Sequence, residues 1–182
     1  MSDNITEGMV HIITGNGKGK TTAAFGMAIR ALGHNKKVYI AQFMKAMKYG
    51  EVLFLENQIK DQKNITIKQF GHSSHLLNVN EIDKAHLDCF RVGYEEVMEI
   101  IKTDEFDMLI LDEILVSHFF KLISTSEIID LIRAKHKSLE LVLTGRYAPV
   151  GLYDYVDLVS EIKERKHYYE HKKLAPREGI ES

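Results

Sequence analysis

The chain has 182 residues, 45% of them hydrophobic and 27% charged, with a formal net charge of −2, so we expect one well-buried domain and no general affinity for nucleic acids. Cys89 is the only cysteine and cannot form an internal disulfide, and no apolar run approaches the roughly 20 residues needed to span a bilayer. The first twenty residues also lack the basic start and apolar stretch of a signal peptide, which favours a cytoplasmic protein that binds neither nucleic acid nor membrane.

Short apolar runs rich in β-branched residues alternate along the chain with segments of helical spacing. Strands are predicted at 9–14, 37–43, 65–70, 106–111, 139–144 and, in a less apolar run, 157–162. Helices are predicted at about 20–33, 50–60, 80–103, 113–123 and 126–137. The last helix should begin after Ser124, which stands three residues before Glu127 as in a capping box. This alternation predicts an α/β fold with a mostly parallel sheet and helices on both of its faces.

The ends of the chain are expected to differ from its middle. We predict a flexible N-terminal segment at 1–8 and a single domain at 9–182, with a polar tail from about 163. In sheets of this type ligands bind at the carboxyl ends of the strands. Functional side chains are therefore expected in the loops after Thr14, Phe43, Phe70, Leu111 and Thr144.

The sequence ITGNGKGKTTAAFG at 13–26 resembles a phosphate-binding loop between a strand and a helix. Glycines tolerate positive φ angles, so this loop can turn backbone N–H groups towards an anion, and the helix N-terminus adds a partial positive charge. Lys20 would contact the phosphates, and Thr21 would bind a Mg²⁺ ion that bridges them. Thr14 replaces the first glycine of the usual G-x-x-x-x-G-K-[ST] signature, which predicts a loop one residue tighter at its entrance.

A carboxylate at the end of a neighbouring strand is the second part of such a nucleotide site. Four apolar residues at 108–111 carry the chain through the predicted sheet and place Asp112 and Glu113 at its carboxyl edge. Either acid could hold the metal directly or through water. Acids at this position could instead serve only to start the next helix, since they interact favourably with its dipole.

Four segments together resemble the ATP:cob(I)alamin, or corrinoid, adenosyltransferases of the P-loop type. They follow the order and spacing of that family and cover nearly all of residues 9–181: TGNGKGKTTAAFGMAIRALGHNKKVYIAQFMK, DMLILDE, LVLTGRYAP and DLVSEIKERKHYYEHKKLAPREGIE. The resemblance implies a P-loop NTPase-like (RecA-like) fold. The shortened phosphate loop of that family accounts for Thr14.

The reaction that the resemblance implies is attack by the Co(I) centre of a reduced corrinoid on the 5′ carbon of the ATP ribose, with triphosphate leaving. Co(I) is already a strong nucleophile, so the protein need only supply position and charge neutralisation. The implied catalytic residues are Lys20, Thr21 and Glu113, and the metal would be held by Thr21, Glu113 and Asp112. The implied ATP contacts are Gly15, Asn16, Gly17, Lys18, Gly19, Lys20, Thr21, Thr22 and Arg30.

The corrinoid site implied by the resemblance is spread over several loops. Its candidates are Lys45, Phe70, His72, His75, Leu76 and Arg146. Gln42 and the tail residues at 166–169 are also expected around the site, although simple surface or packing roles for Arg146 and the two tail tyrosines stay open. Some enterobacterial relatives use a phenylalanine and a tryptophan after the third strand to displace the lower axial base of the corrinoid. This chain has no tryptophan, so Phe70, the two histidines or an aliphatic wedge from Leu76 and Leu77 would have to replace them.

Further expectations concern cofactors and partners. The resemblance implies Mg²⁺, ATP as co-substrate, a reduced corrinoid as substrate, a flavodoxin-like electron donor and a homodimer. Two other functions remain open from the residues alone. One is a P-loop ATPase or small-molecule kinase, in which Glu113 or Asp112 would orient water or an acceptor hydroxyl. The other is a regulatory module that senses ATP.

Overall fold

The computed structural model describes residues 7–58, 63–72 and 79–181. Within these ranges the strands are β1 (Val10–Thr14), β2 (Val38–Phe43), β3 (Ile65–Phe70), β4 (Met108–Asp112), β5 (Glu140–Thr144) and β6 (Leu158–Glu161). The helices are α1 (Lys20–Leu32), α2 (Gly50–Gln58), α3 (Lys84–Ile100), α4 (Ile114–Phe119), α5 (Thr125–Ala134) and α6 (Tyr168–Lys172). Short 3-10 turns lie at Val79–Glu81 and Val150–Tyr155.

The strands form one sheet in the order β3-β2-β4-β5-β1-β6, and every neighbouring pair is parallel. The predicted α/β class with a parallel sheet is therefore confirmed, and it is consistent with a P-loop NTPase-like fold. Strand β5 lies between β1 and β4. The phosphate loop after β1 and the acids at the end of β4 are thus separated by the width of one strand, on the same edge of the sheet.

Helices cover both faces of the sheet, as the sequence predicts. Along β4, Leu109 and Leu111 face a core shared with α3, α4 and α5, whereas Met108 and Ile110 face a second core shared with α1 and α2. This alternation follows from the period of two in a strand. Because both faces are buried, the strand consists of consecutive apolar residues rather than alternating ones.

Several helix boundaries differ from the sequence prediction, and each difference has a local cause. The helix predicted at 80–103 starts at Lys84, because the Asp83 side chain accepts a hydrogen bond from the His86 N–H (3.1 Å) and caps it. The helix predicted at 113–123 ends at Phe119, and Lys121 beyond it has a φ of 61°. In the polar tail a short helix, α6, forms where no period was apparent, and it is capped by His167, which accepts from the Tyr169 N–H.

The capping box predicted before α5 is present. The Ser124 hydroxyl accepts a hydrogen bond from the Glu127 N–H (3.2 Å), and the Glu127 carboxylate accepts one from the Ser124 N–H (2.8 Å). In the ranges that the structure describes, no helix combines the length and the apolar character needed to cross a membrane. The proposed flexible segment at 1–8 falls largely outside those ranges and stays a prediction.

Candidate active site

The phosphate loop runs from Gly15 to Gly19, directly between β1 and α1. Thr14 is the last residue of β1 and is buried, so the position that is glycine in the longer signature belongs to the strand here. Gly19 has a φ of 115°, a left-handed conformation that glycine adopts without the cost of a Cβ atom. The loop therefore turns sharply and starts α1 at Lys20.

The first part of the loop, at 15–17, packs against the segment that follows β6. A Cβ atom at Gly15 would lie 2.3 Å from the carbonyl oxygen of Ile162, and one at Gly17 would lie 2.8 Å from the same oxygen and from Cγ2. The Gly17 N–H donates to the Ile162 carbonyl (2.8 Å). The Gly17 N–H is therefore bonded within the protein rather than directed at an anion, and glycine at this position is required by close packing.

Lys20 lies at the floor of the loop and is buried. Its ammonium donates to the Gly17 carbonyl (2.8 Å). Burial lowers the pKa of this lysine, while the nearby Glu113 opposes that change. A buried ammonium that is only partly compensated is a suitable partner for a phosphate anion.

Asp112, at the end of β4, is fully buried and accepts four hydrogen bonds. One oxygen, Oδ1, accepts from the hydroxyls of Thr21 (2.9 Å) and Thr144 (2.7 Å). The other, Oδ2, accepts from the Gln42 amide (3.0 Å) and the Lys45 ammonium (2.7 Å). Residues from α1, β2, β5 and the segment after β2 thus converge on one carboxylate.

Glu113 follows Asp112 in a left-handed conformation, with a φ of 63°. Its N–H donates to the Thr144 hydroxyl (3.0 Å), which holds the turn against β5. Burial and the neighbouring Asp112 raise the pKa of the Glu113 carboxyl, and Lys45, Lys20 and Arg146 reduce that effect. A carboxyl with a raised pKa on a left-handed backbone is characteristic of a functional site.

The oxygens of Thr21 and Asp112 fit the requirements of a Mg²⁺ ion. Magnesium prefers hard oxygen ligands and commonly takes one or two from the protein and the rest from phosphates and water. The Thr21 hydroxyl and the Asp112 carboxylate lie 2.9 Å apart at the start of α1. Among the described residues no group of three or more His, Cys, Asp and Glu side chains is placed to hold a metal. A metal here would therefore complete its coordination with water or with phosphate oxygens.

Two cavities meet at this edge of the sheet. The loop cavity, of about 500 Å³, extends along the phosphate loop and the start of α1, over residues 16–22. The aromatic cavity, of about 410 Å³, lies beside it; its aromatic side chains are Tyr49, Phe70, His72, His86, Phe90, Phe119, Phe120 and Tyr147. Four residues line both cavities, namely Lys45, Tyr49, Glu113 and Arg146. An anion in the loop cavity and a ligand in the aromatic cavity would therefore both contact these four residues.

The structure brings most of the candidate residues together. From the ATP set, Asn16, Gly17, Lys18, Gly19, Lys20, Thr21 and Thr22 line the loop cavity. From the corrinoid set, Lys45, Phe70, His72 and Arg146 line the aromatic cavity. Gln42 lies beneath the site as a partner of Asp112. His75, Leu76 and Leu77 fall outside the described residues.

Arg30 is not brought to either cavity. It lies ten residues beyond Lys20 on α1, a distance of about 15 Å along a helix. There it lines a small separate cavity with Met108, the first residue of β4, at the amino edge of the sheet. Within this chain the prediction that Arg30 contacts ATP does not fit the structure, because helix α1 carries it away from the phosphate loop.

The tail covers one side of the loop cavity. Lys18 donates to the Ile180 carbonyl (2.8 Å) and to the Glu181 carboxylate (3.1 Å). Tyr168 also donates a short hydrogen bond to Glu181, and His167 lines the cavity. The hydrogen bond with Glu181 raises the pKa of the exposed Lys18. Tyr169, in contrast, is largely exposed.

Sequence reasoning missed several residues of the site. Thr144, which contacts both Asp112 and the Glu113 N–H, is a polar residue at the end of an apolar strand, and that position was the available signal. Tyr49, Phe119 and Tyr147 had no such signal. Stacking of Phe119 on Tyr147 (4.3 Å between ring centroids) joins α4 to the loop after β5, which are distant in sequence.

Comparison with known proteins points to one family. The model of the family ATP:corrinoid adenosyltransferase BtuR/CobO/CobP matches residues 6–182. The corrinoid adenosyltransferase of Escherichia coli (strain K12) is 32% identical over 165 residues, which is 90% of this chain and 80% of the relative. The corrinoid adenosyltransferase CobA of Salmonella typhimurium is 33% identical over 90% of this chain and 80% of the relative. A corrinoid adenosyltransferase of a Sinorhizobium species is 30% identical over 88% of this chain and 74% of the relative.

Proposed function

This chain belongs to the ATP:corrinoid adenosyltransferases, and from that membership we propose that it transfers the 5′-deoxyadenosyl group of ATP to the Co(I) centre of a reduced corrinoid in adenosylcobalamin synthesis. The observation that carries the proposal is the shared wall of the two cavities. A phosphate loop and an aromatic cavity adjoin through Lys45, Tyr49, Glu113 and Arg146, so a nucleotide and a large ring can be held against each other.

The bond changes define what the protein must do. The Co(I) centre gives an electron pair to the 5′ carbon of the ribose, the bond from that carbon to oxygen breaks, and triphosphate leaves with the bonding pair. Negative charge therefore accumulates on the triphosphate as it departs. Groups that bind this charge more strongly in the transition state than in the ground state accelerate the reaction.

The loop cavity supplies such groups. The N-terminus of α1 and the buried ammonium of Lys20 are held in position by the fold, so they can act on the developing charge with little reorganisation. We assign Asn16, Lys18, Gly19, Lys20, Thr21 and Thr22 to the triphosphate, because they line the loop cavity, whereas Gly15 and Gly17 pack against Ile162. Thr21 and Asp112, with Glu113 nearby, would hold a Mg²⁺ ion, which would supply further neutralisation of the phosphates.

The aromatic cavity suits the corrinoid. Phe70 and His72 lie on its wall, where they could exclude a lower axial ligand from the cobalt, and the ring would then present its other face to the ribose. Removing that ligand matters because four-coordinate Co(II) is easier to reduce to Co(I). An electron donor of the flavodoxin type would complete the system. We also propose that the protein is cytoplasmic and forms a homodimer. Light scattering of the purified protein would test the homodimer.

The test is a product analysis. Protein is incubated anaerobically with Mg²⁺, ATP and cobalamin that has been reduced chemically to Co(I). We expect a light-sensitive adenosylated corrinoid and one equivalent of inorganic triphosphate, without ADP. Formation of ADP would instead identify an ATPase or kinase, and the absence of any product with intact, folded protein would favour an ATP-sensing module.

A control without reductant separates adenosyl transfer from other ATP chemistry. Without Co(I) the transferase has no nucleophile, so triphosphate should not form. Triphosphate or phosphate release that continues at the same rate without reductant would contradict the proposal.

A further inference from the structure

The Asp112 carboxylate has no acceptor site left for a metal ion. A carboxylate offers about four lone-pair positions, and all four in Asp112 receive a donor, two on each oxygen. Direct binding of a metal at this residue therefore requires that one donor leave. The four donors differ in how easily they can do so.

Three of the donors are fixed by the fold. Gln42 lies in β2 and is itself held by the Gln69 amide (2.9 Å), while Thr144 ends β5 and also accepts from the Glu113 N–H. Thr21 lies in the first turn of α1. Lys45, in contrast, belongs to the irregular segment between β2 and α2, and its side chain reaches Asp112 over four rotatable bonds.

Lys45 also occupies the place where a cation would be expected. Its ammonium lies 2.7 Å from Asp112 Oδ2 and 3.1 Å from the Thr21 hydroxyl oxygen, the same two groups that fit a Mg²⁺ ion. A single positive charge thus compensates a fully buried carboxylate that would otherwise be costly. Two cations cannot share this position.

We propose that Lys45 is an internal substitute for the metal: its ammonium fills the cation position in the nucleotide-free protein and is displaced when Mg²⁺ enters with ATP. The proposal rests on the proposed function for the presence of Mg²⁺. It also gives Lys45 a second role, in addition to the corrinoid contact that the sequence implies. Because Lys45 lines both cavities, the displaced ammonium remains on their shared wall, beside Glu113 and Arg146. Metal binding in the loop cavity therefore adds positive charge to the wall of the aromatic cavity.

The test measures metal binding without nucleotide or corrinoid. Mn²⁺, a paramagnetic substitute for Mg²⁺, is titrated into the nucleotide-free protein, and free Mn²⁺ is followed by electron paramagnetic resonance. The variant Lys45→Met keeps the length of the side chain and removes its charge. We expect it to bind Mn²⁺ roughly tenfold more tightly than the wild type, because a competing positive charge about 3 Å from the site is gone.

Two further variants make the result specific. Lys48→Met removes a cation from the same segment, where it pairs with Glu56 on the surface, and should leave the Mn²⁺ affinity at the wild-type value. Lys45→Arg keeps the charge and should bind Mn²⁺ no more tightly than the wild type, so it tests the proposal even if Lys45→Met fails to fold. Tighter binding by Lys45→Arg, or unchanged or weaker binding by folded Lys45→Met, would overturn it.

The outcome is independent of the test of function. If the wild type forms the adenosylated corrinoid while Lys45→Met gains no affinity for Mn²⁺, only the role of Lys45 is wrong. If the wild type forms no such product, the proposed function fails whatever the titration gives.

Discussion

Single residues in this site are held in states that a protein selected only for stability would avoid. Lys20 is a buried ammonium beside a carbonyl oxygen, and Glu113 is a half-buried carboxyl on a left-handed backbone. The left-handed backbone of Glu113 is a strain that typically costs about 1–3 kcal/mol, and burial of the Lys20 ammonium is also unfavourable; such features persist where function requires them. Substitutions at these two positions should therefore separate stability from activity.

Replacing Lys20 with alanine should abolish turnover. The ammonium is the positive side chain at the floor of the phosphate loop, and loss of one such group from a preorganised site typically lowers kcat by about 10²–10³-fold. The measurement is the rate of adenosylcobalamin formation with Co(I) supplied chemically. Lys36→Ala, at the amino edge of the sheet where Lys36 pairs with Asp107, is the control and should retain the wild-type rate. A Lys20→Ala enzyme with near-normal turnover would refute the role of this lysine.

Replacing Glu113 with glutamine should raise stability and lower turnover. The folded protein raises the pKa of Glu113, so the ionised carboxylate is disfavoured by folding above that pKa, and a neutral amide removes this cost. We expect a gain of about 1 kcal/mol in the free energy of unfolding at pH 7. The gain should vanish below the unfolded pKa of 4.5, where the wild-type carboxyl is protonated in both states.

Urea unfolding of the wild type and of Glu113→Gln at pH 7 and at pH 4 measures the gain in stability and its loss at low pH. The rate of adenosylcobalamin formation measures the effect on turnover. A variant that is less stable than the wild type at pH 7 would show that ionised Glu113 is a net stabilising group. Glu113 would then contribute to stability, and its charge would need no functional explanation.

At the scale of elements, the phosphate loop depends on its contact with the chain after β6. The Gly17 N–H bonds to the Ile162 carbonyl, and β1 pairs with β6 from His11 to Thr14. The edge strand therefore fixes the loop from outside, before any nucleotide is present. Gly15 and Gly17 are required by space, whereas Gly26 in α1 has no atom within 4 Å of the position of a Cβ.

Two alanine substitutions with opposite effects test this contact. Gly17→Ala should lower the free energy of unfolding by about 1–3 kcal/mol, because its Cβ would overlap Ile162 and push the loop away from β6. Gly26→Ala should raise it by about 0.5–1 kcal/mol, since alanine is the better residue in the interior of a helix. Chemical unfolding of both variants measures these changes in the free energy of unfolding. A Gly17→Ala variant as stable as Gly26→Ala would show that Ile162 moves aside at little cost.

For the whole molecule, the sheet order assembles the site from distant parts of the chain. The carboxyl edge carries the phosphate loop, the acids after β4, the threonine that ends β5 and the segment after β2. Ligand binding should therefore join these parts and stabilise the domain as a unit, since a ligand that binds only the folded state shifts unfolding by mass action.

Addition of Mg²⁺ and ATP should raise the melting temperature. At roughly 100 times its Kd a ligand contributes about 2.7 kcal/mol. For a chain of this size, that corresponds to an increase in Tm of about 5–10 °C. Differential scanning fluorimetry of the wild type, with Lys20→Ala as the variant expected to lose most of the shift, measures the effect. An equal shift in both proteins would place the bound nucleotide away from the phosphate loop.

The strands, most helices, the parallel α/β class, the phosphate loop and the acids after β4 can all be predicted from the sequence alone. These features are encoded locally, because apolar runs, a capping box and glycine spacing express preferences of neighbouring residues. Two features depend on the folded chain. Strand β5 lies between β1 and β4, which brings Thr144 to Asp112, and Lys45 occupies the fourth donor position there. The length of helix α1 also places Arg30 at the opposite edge of the sheet. Such contacts join residues far apart in sequence, and their geometry follows from strand order and packing, which no local pattern specifies.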